Sequence, residues 1–138
     1  MMFSAVPKQV IDIVWDDVVK VLKPAVDTAK GKLGINDIKD YLSKGIYELW
    51  VVMDGTKIIA AITTRIIQYP ERKALAMDFI GGTRMKEWLP EAQSTIVQFA
   101  ADNNCSHLEG YGRKAWGRWL DKYGWKPDYI AYRMEING

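Results

Sequence analysis

Apolar residues recur every three or four positions near the start of the chain, as they do on one face of a helix. The stripe consists of Val10, Ile13, Val14, Val18, Val21 and Leu22. Pro7 suits the first turn of this helix, and Pro24 is expected to end or kink it. A short second helix is predicted at 36–43, with Asn36 as its N-cap. The sequence therefore predicts two helices within residues 1–45.

After these helices the pattern changes to short apolar runs rich in β-branched and aromatic residues. Strands are predicted at 47–53, 57–69 and 73–80. The first two are separated by Asp54 and Gly55, a typical hairpin turn pair. These residues therefore predict a meander of three antiparallel strands.

Helix and strand patterns alternate in the last third of the chain. The next helix is predicted at 90–103, since a helix begun at Arg84 would hold Pro90 in its interior at a cost of about 3 kcal/mol. The remaining predicted elements are a strand at 107–111, a helix at 113–123 that Gly124 ends, and a strand at 127–136. The predicted order is ααβββαβαβ, an α/β (α+β) arrangement in a single domain over 1–138.

Composition excludes several classes of protein. In 138 residues, 19 Lys plus Arg against 17 Asp plus Glu give a net charge of +2, with no long apolar run and no secretory signal pattern. Nucleic acid and membranes are therefore not expected as partners. With one cysteine, Cys105, and one histidine, His107, neither a disulfide nor a metal centre is expected, and the cytoplasm is the expected location.

Two features resemble the GNAT acetyltransferase fold: a strand that ends in Gly81-Gly82 before a helix, and a Gly124-Trp125 step before the last strand. The segments GGTRMKEWLPE and NNCSHLEGYGRKAWGRWLDKYGW are similar to small, mostly uncharacterised GNAT-like proteins of tailed phages. The likeness covers 46–136, whereas the N-terminal helices match by position only. It implies a mixed, mostly antiparallel central sheet flanked by helices, in which the strands at 73–80 and 107–111 splay apart.

The resemblance implies that acetyl-CoA occupies the notch between the splayed strands. Its pantetheine arm would pair with the free strand edge, and its diphosphate would bind backbone amides at the start of the following helix. A helix N-terminus and close glycines suit a phosphate, and an arginine adds a fixed positive charge. The cofactor-binding residues implied are Phe79, Ile80, Gly81, Gly82, Thr83, Arg84 and Arg113. The sequence departs from the family in one respect here, because only the adjacent glycine pair of the usual phosphate loop is present.

Acetyl transfer to an amine needs a base for the ammonium proton and an acid for the leaving thiolate. In the family the acid is often a tyrosine four residues before the glycine of the Gly-aromatic step, a position that Leu120 occupies here. Tyr111 is the expected substitute, because Tyr123 is displaced around the helix. Glu109 and Asp78 are the first candidates for the base, and His107 is ranked after them.

Several residues have a structural interpretation as well as a functional one. Trp116 and Trp119 share a helix face that is more often core than a ligand platform. The basic residues Arg113, Lys114 and Arg118 could bind the 3′-phosphate of CoA or form a solvated face. The sequence favours an N-acetyltransferase acting on an unidentified small-molecule or protein amine. The alternative is a catalytically inactive GNAT-fold phage protein that serves in the virion or binds a phage or host protein.

Overall fold

The computed structural model describes residues 1–29, 31–112 and 116–137. Five strands are formed in the described residues: β1 (Met2–Val6), β2 (Glu48–Asp54), β3 (Lys57–Gln68), β4 (Lys73–Gly82) and β5 (His107–Gly110). The α-helices in the same residues are α1 (Ile11–Val26), α2 (Ile35–Ser43), α3 (Met85–Asp102) and the single turn α4 (Gly117–Leu120). Short 3₁₀ turns precede and follow α1 and follow α4.

The strands form one mixed sheet in the order β1-β2-β3-β4-β5. Each neighbouring pair is antiparallel except β4 and β5, which run parallel because α3 connects them as a crossover. The sheet is mostly antiparallel and helices cover both of its faces, so the predicted fold class is confirmed.

The continuous apolar run of β2 is explained by burial on both faces of the sheet. Leu49 and Val51 point towards α1 and α2, whereas Trp50 and Val52 point towards α3. On the first face, α1 contributes a fully buried stripe that includes Val18 and Leu22. The two apolar cores therefore lie on opposite sides of one sheet.

The N-terminal region corrects three predictions. β1 was not predicted; its five residues pair with the whole length of β2, and this long-range pairing stabilises it. The first helix continues through Pro24 to Val26, since a proline near a helix end disturbs few further residues. The N-cap of α2 is Gly34 rather than Asn36, and the amide of Gly34 donates to the carboxylate of Asp37.

The helix after β4 begins earlier than predicted. α3 starts at Met85 and contains Pro90 in its interior instead of beginning there. Burial of Trp88 and Leu89 in the first two turns, and a 2.8 Å bond from the Trp88 indole Nε1 to the carbonyl of Thr83, offset the lost helical hydrogen bond. The helix therefore starts three residues after β4 ends.

The C-terminal region also differs from the prediction. Residues 127–136 form no strand, and their side chains are exposed. Alternation of apolar and polar residues predicts a strand only where a partner edge receives it, and this segment pairs with no strand in the described residues. The predicted helix at 113–123 is present from Gly117, and Gly124 ends it with a φ of +89°. Arg113 and Lys114 lie outside the described residues.

Candidate functional site

A notch opens between β4 and β5. The last paired residues are Met77 of β4 and Gly110 of β5, yet β4 continues for five residues to Gly82, paired only with β3. The register with β3 passes from Thr64–Met77 to Thr63–Phe79, so Asp78 is an extra residue that bulges β4. A bulge bends a strand and increases its twist, which accounts for the divergence.

The residues expected along the notch are found there. Phe79 and Ile80 lie on the stretch of β4 beyond its last pair with β5, half-buried and on opposite faces of the sheet. The edge of β4 that faces the notch is therefore available to an extended ligand at these residues.

The start of α3 closes one end of the notch. Thr83 donates its amide to the carbonyl of Ile59, and Glu87 donates to the carbonyl of Arg84. The amides of Met85 and Lys86 have no acceptor among the described residues, as expected in the first turn of a helix. The Thr83 amide is therefore engaged by the protein, whereas the amides of Arg84, Met85 and Lys86 have no acceptor among the described residues.

The two glycines have a packing requirement of their own. A Cβ at Gly81 would lie 2.2 Å from the carbonyl oxygen of Val21, so only glycine permits α1 to cross β4 this closely. Gly82 has a φ of +130°, and a Cβ there would lie 2.4 Å from the carbonyl oxygen of Ile59. Close packing thus explains the pair independently of any ligand, and their predicted part in binding a diphosphate stays a prediction.

Arg84 is held by two carboxylates. Its guanidinium donates to Glu87 through Nε at 2.7 Å and to Asp54 through Nη1 at 2.7 Å. These hydrogen bonds, first to Glu87 and then to Asp54, raise the pKa of Arg84, and the guanidinium in turn lowers the pKa of Glu87. The positive charge predicted for a phosphate is therefore already balanced by the protein. Lys86, two residues further along the chain, has no ion-pair partner within the part of the chain that is described.

A cavity lies between the first turn of α3 and α4. Its volume is about 660 Å³, and it is lined by Arg84, Met85, Lys86, Glu87, Trp116 and Trp119. Trp119 packs against the core on the α3 side and makes an edge contact with Trp116, their ring centroids 5.9 Å apart. Trp119 thus belongs to the core and also lines the cavity.

The structure brings the predicted acid and bases to the same face of the sheet. Tyr111 follows β5 directly, at the mouth of the notch, and is 59% exposed. Burial of the phenol, then the charges of Tyr129, Glu109 and Asp78, raise its pKa. A tyrosine with a raised pKa stays protonated and keeps a proton that it can donate.

Glu109 is the middle of a chain of hydrogen bonds. Tyr69 donates its hydroxyl to Oε2 of Glu109 at 2.9 Å, and Nε2 of His107 lies 2.9 Å from Oε1. Ser106 Oγ lies 2.8 Å from Nδ1 of the same imidazole. Because an ionised carboxylate can only accept, Nε2 is the donor in its bond with Glu109. The carboxylate of Glu109 is thereby held in place by two hydrogen bonds.

Asp78 has a different environment. Its side chain is about one-tenth exposed and accepts a hydrogen bond from Nε of Arg65 on β3. The buried phenol of Tyr47 is also next to it: burial, and then the charge and hydrogen bonding of Asp78, raise the pKa of Tyr47 to about 12. The carboxylate of Asp78 is therefore already engaged by a cation and a phenol.

Other candidate residues have structural surroundings. Leu120, at the position of the family's usual tyrosine, packs against the core on the α3 side together with Tyr123. Burial raises the pKa of the Cys105 thiol, which disfavours the thiolate that a nucleophile needs. Among the described residues no group of histidine, cysteine and acidic side chains could hold a metal ion, and no helix is long and apolar enough to cross a bilayer.

Comparison with known proteins identifies the fold. No family model matches the sequence, and no curated protein matches it. Solved structures do match over almost the whole chain. A probable acetyltransferase gives a TM-score of 0.73 at 10% identity, covering 100% of this chain and 99% of its own. A GNAT family acetyltransferase from Staphylococcus aureus gives 0.66 at 14% identity, covering 98% of each chain.

A third match is an aminoglycoside acetyltransferase from an uncultured soil metagenomic sample, solved in complex with sisomicin. Its TM-score is 0.69 at 10% identity, and the alignment covers 99% of this chain and 96% of that one. The chain therefore has the GNAT fold, which confirms the family resemblance at the level of architecture.

Residues that the sequence did not single out complete the site. Tyr47, Arg65 and Tyr69 surround the two candidate bases, and Lys86 supplies the cation beside the cavity. Strand alternation places residues on a face, but the neighbours of Glu109 and Asp78 come from strands that are distant in sequence. Of these residues, only Lys86 could have been identified from the local sequence, because it lies in the first helical turn after the glycine pair.

Proposed function

We propose that this protein is an N-acetyltransferase that moves an acetyl group from acetyl-CoA to an amine by direct attack. One observation carries the proposal: pairing of β4 with β5 stops at Met77, while β4 runs on to Gly82 and leads into the start of α3. This arrangement supports a site for an extended chain that ends in an anion. The similarity to solved acetyltransferases agrees with it.

The residues at the notch fit acetyl-CoA in shape and partly in charge. The free edge of β4 at Phe79 and Ile80 would bond the pantetheine amides, and the amides of Met85 and Lys86 would receive the diphosphate. The Lys86 ammonium would add the positive charge, because Arg84 is occupied by Asp54 and Glu87. The bound thioester supplies an activated acetyl group, and the protein supplies orientation and proton transfer.

Tyr111 is the proposed general acid. The amine nitrogen bonds to the thioester carbon, the carbon–sulfur bond breaks, and the departing sulfur takes the Tyr111 proton. A phenol at the mouth of the notch with a raised pKa remains protonated at neutral pH, so it can perform this step. This assignment replaces the family tyrosine that Leu120 cannot supply.

Glu109 is the proposed group that receives the acceptor amine. Asp78 is less suited, because Arg65 and Tyr47 already satisfy it. Glu109 is oriented by Tyr69 and His107, and its carboxylate would bind the ammonium of the acceptor. The bound ammonium first gives one proton to this carboxylate and becomes the free amine that attacks. The second proton, which the nitrogen loses as the amide forms, balances the proton that Tyr111 gives to the thiolate.

Binding is the first test. Acetyl-CoA at 100 times its dissociation constant should stabilise the protein by about 2.7 kcal/mol, seen as a rise in melting temperature. Lys86→Glu should weaken the affinity about tenfold, measured by calorimetry, because it reverses the charge beside the diphosphate. Lys32→Glu, at an exposed position between α1 and α2, makes the same change in net charge and should leave the affinity unchanged. No stabilisation at millimolar acetyl-CoA would refute the proposal.

Turnover is the second test. Release of free thiol from acetyl-CoA is followed with a panel of amines, and Tyr111→Phe is expected to lower kcat about a hundredfold with little change in acetyl-CoA affinity. Tyr129→Phe, an exposed tyrosine near it, is the matched control and should retain activity. Equal activity of the Tyr111→Phe variant would remove this residue from the mechanism.

A second candidate function is a GNAT-fold binding protein without catalysis. The core packing of Leu120 and the ion-paired state of Arg84 favour it, since both replace features that active relatives use. Binding of acetyl-CoA without thiol release on any amine would support this function, and thiol release that depends on Tyr111 would exclude it.

A further inference from the structure

The C-terminal segment, residues 127–137, presents an unusual apolar surface. Its large apolar side chains are between 72% and 91% exposed: Tyr129, Ile130, Tyr132, Met134 and Ile136. All but Tyr129 occupy even positions, whereas Arg133 and Glu135 occupy odd ones. In an extended conformation the segment would therefore have one apolar and one charged face.

An open sheet edge lies next to the start of this segment. β5 pairs with β4 on one side, and no described residue pairs with it on the other. Unpaired backbone groups on an edge strand are a template for another strand. β5 also has two unlike faces: Leu108 packs against the core on the α3 side, and His107 and Glu109 lie on the opposite face.

The edge and the segment are complementary. A strand placed beside β5 would set its apolar positions next to Leu108 and extend the core beneath α3. Its odd positions, where Arg133 and Glu135 are ion-paired with each other, would lie on the polar face beside His107 and Glu109. A register shifted by one residue would exchange the two faces and lose both matches.

The single chain does not make this pairing itself. The segment begins beside its own β5, since the Trp125 ring lies 3.4 Å from the position of a Cβ on Gly110. Even so, residues 127–137 have no ladder partner in the described structure, and both the segment and the edge remain open.

We propose that two copies of this chain exchange their C-terminal segments, each adding residues 129–136 as an antiparallel sixth strand to β5 of the other. Each copy then supplies one segment and one edge, so a twofold axis satisfies both and the assembly closes as a dimer. The inference is independent of acetyl transfer, because it rests on the edge and the segment alone.

The oligomeric state tests the proposal. Sedimentation velocity of the full chain from micromolar to submillimolar concentration should give twice the mass of one chain. The full-length double variant Ile130→Asp/Met134→Asp should sediment as a folded monomer with the helical circular dichroism of the wild type. Ile13→Asp changes an equally exposed apolar residue on α1 and should leave the dimer intact.

Hydrogen exchange separates the possible outcomes. In the dimer, amides of residues 107–110 and 129–136 should be protected together, and both should lose protection in the double variant. A monomeric wild type overturns the proposal: protected segment amides would then show addition to the chain's own β5, and unprotected ones would show a free segment. A dimer that persists in Ile130→Asp/Met134→Asp overturns it as well.

Discussion

Arg65 on β3 donates a hydrogen bond through Nε to Oδ2 of Asp78, the residue that bulges β4. The extra residue moves Asp78 out of register with β3, and the guanidinium holds its carboxylate on the face beside Tyr47. The same bulge turns β4 away from β5 immediately after Met77. One ion pair is thus located where the notch begins, and it links the stability of the sheet to the shape of the site.

The buried phenol of Tyr47 makes the fold sensitive to alkali. Its pKa is raised from 10.0 to about 12, chiefly by burial and then by the Asp78 charge. A raised pKa in the folded state gives stability that is complete below pH 10 and is lost as the pH rises towards 12. The free energy of unfolding in urea should fall over this interval, by at most about 3 kcal/mol from this group.

The control for this effect is Tyr47→Phe, which should flatten the fall between pH 10 and 12 while Tyr129→Phe should not. Absorbance of the phenolate, recorded in the same samples, should show a latest-titrating tyrosine that is absent from Tyr47→Phe. An unchanged pH profile in Tyr47→Phe would contradict the prediction.

Gly81 is predicted to be essential for the packing of α1 on the sheet. Gly81→Ala would place a Cβ 2.2 Å from the Val21 carbonyl oxygen, so the helix must move, and we expect a loss of about 2 to 4 kcal/mol of unfolding free energy. Gly117→Ala has open space around its Cβ and should change stability by less than about 1 kcal/mol. Chemical denaturation of both variants gives the comparison, and similar values would refute the packing argument.

Pro90 is predicted to destabilise α3. It lies exposed in the second turn, where its ring removes the hydrogen bond to the Lys86 carbonyl. Pro90→Ala should therefore stabilise the protein by about 1 to 2 kcal/mol, after the greater freedom of the unfolded chain is subtracted. The exposed neighbour Glu91→Ala serves as control. A lower melting temperature for Pro90→Ala would show that the proline is needed for the helix start.

Two adjacent threonines on β3 should respond in opposite ways to the same change. Both are fully buried, but Thr64 accepts from the Trp50 indole at 2.9 Å and donates to Glu48, whereas the Thr63 hydroxyl has no partner among the described residues. Thr63→Val should be stabilising by about 1 kcal/mol, because it removes an unsatisfied polar atom. Thr64→Val should cost about 1 to 3 kcal/mol, because it leaves the buried Trp50 indole and the half-buried Glu48 carboxylate without this partner.

Denaturant titrations of the two valine variants give the measurement. Their side chains have nearly the same shape, so packing differences largely cancel in the comparison. Equal effects in the two variants would mean that the Thr64 bonds are not formed in solution.

The elements that the sequence predicted well are those with strong local signals. The Asp54-Gly55 turn and the β-branched runs around it predicted β2 and β3 to within a residue or two. Prediction failed where the formation of a strand depends on a partner strand that is distant in the sequence. β1 depends on β2, and residues 127–136, which alternate just as clearly, are not a strand because nothing in the described chain pairs with them.

The stripe of the first helix shows the same limit at the level of side chains. Ile13 was assigned to the buried face but is 79% exposed, while Trp15 packs against the sheet. Helical spacing defines a stripe only to within about one position, and the final rotation of α1 depends on its close contact with Gly81.

By itself, the sequence determined the period of each segment, the turn positions and the fold class, because spacing and turn chemistry act over a few residues. It also placed the ends of β4 and β5, and with them Tyr111, Glu109 and Asp78. Only the tertiary structure decided that Arg65 neutralises Asp78 and that Asp54 occupies Arg84, since these pairs join residues far apart in the chain. Two charged side chains form an ion pair only when they lie close together in space, and the fold of the sheet sets the distance between them.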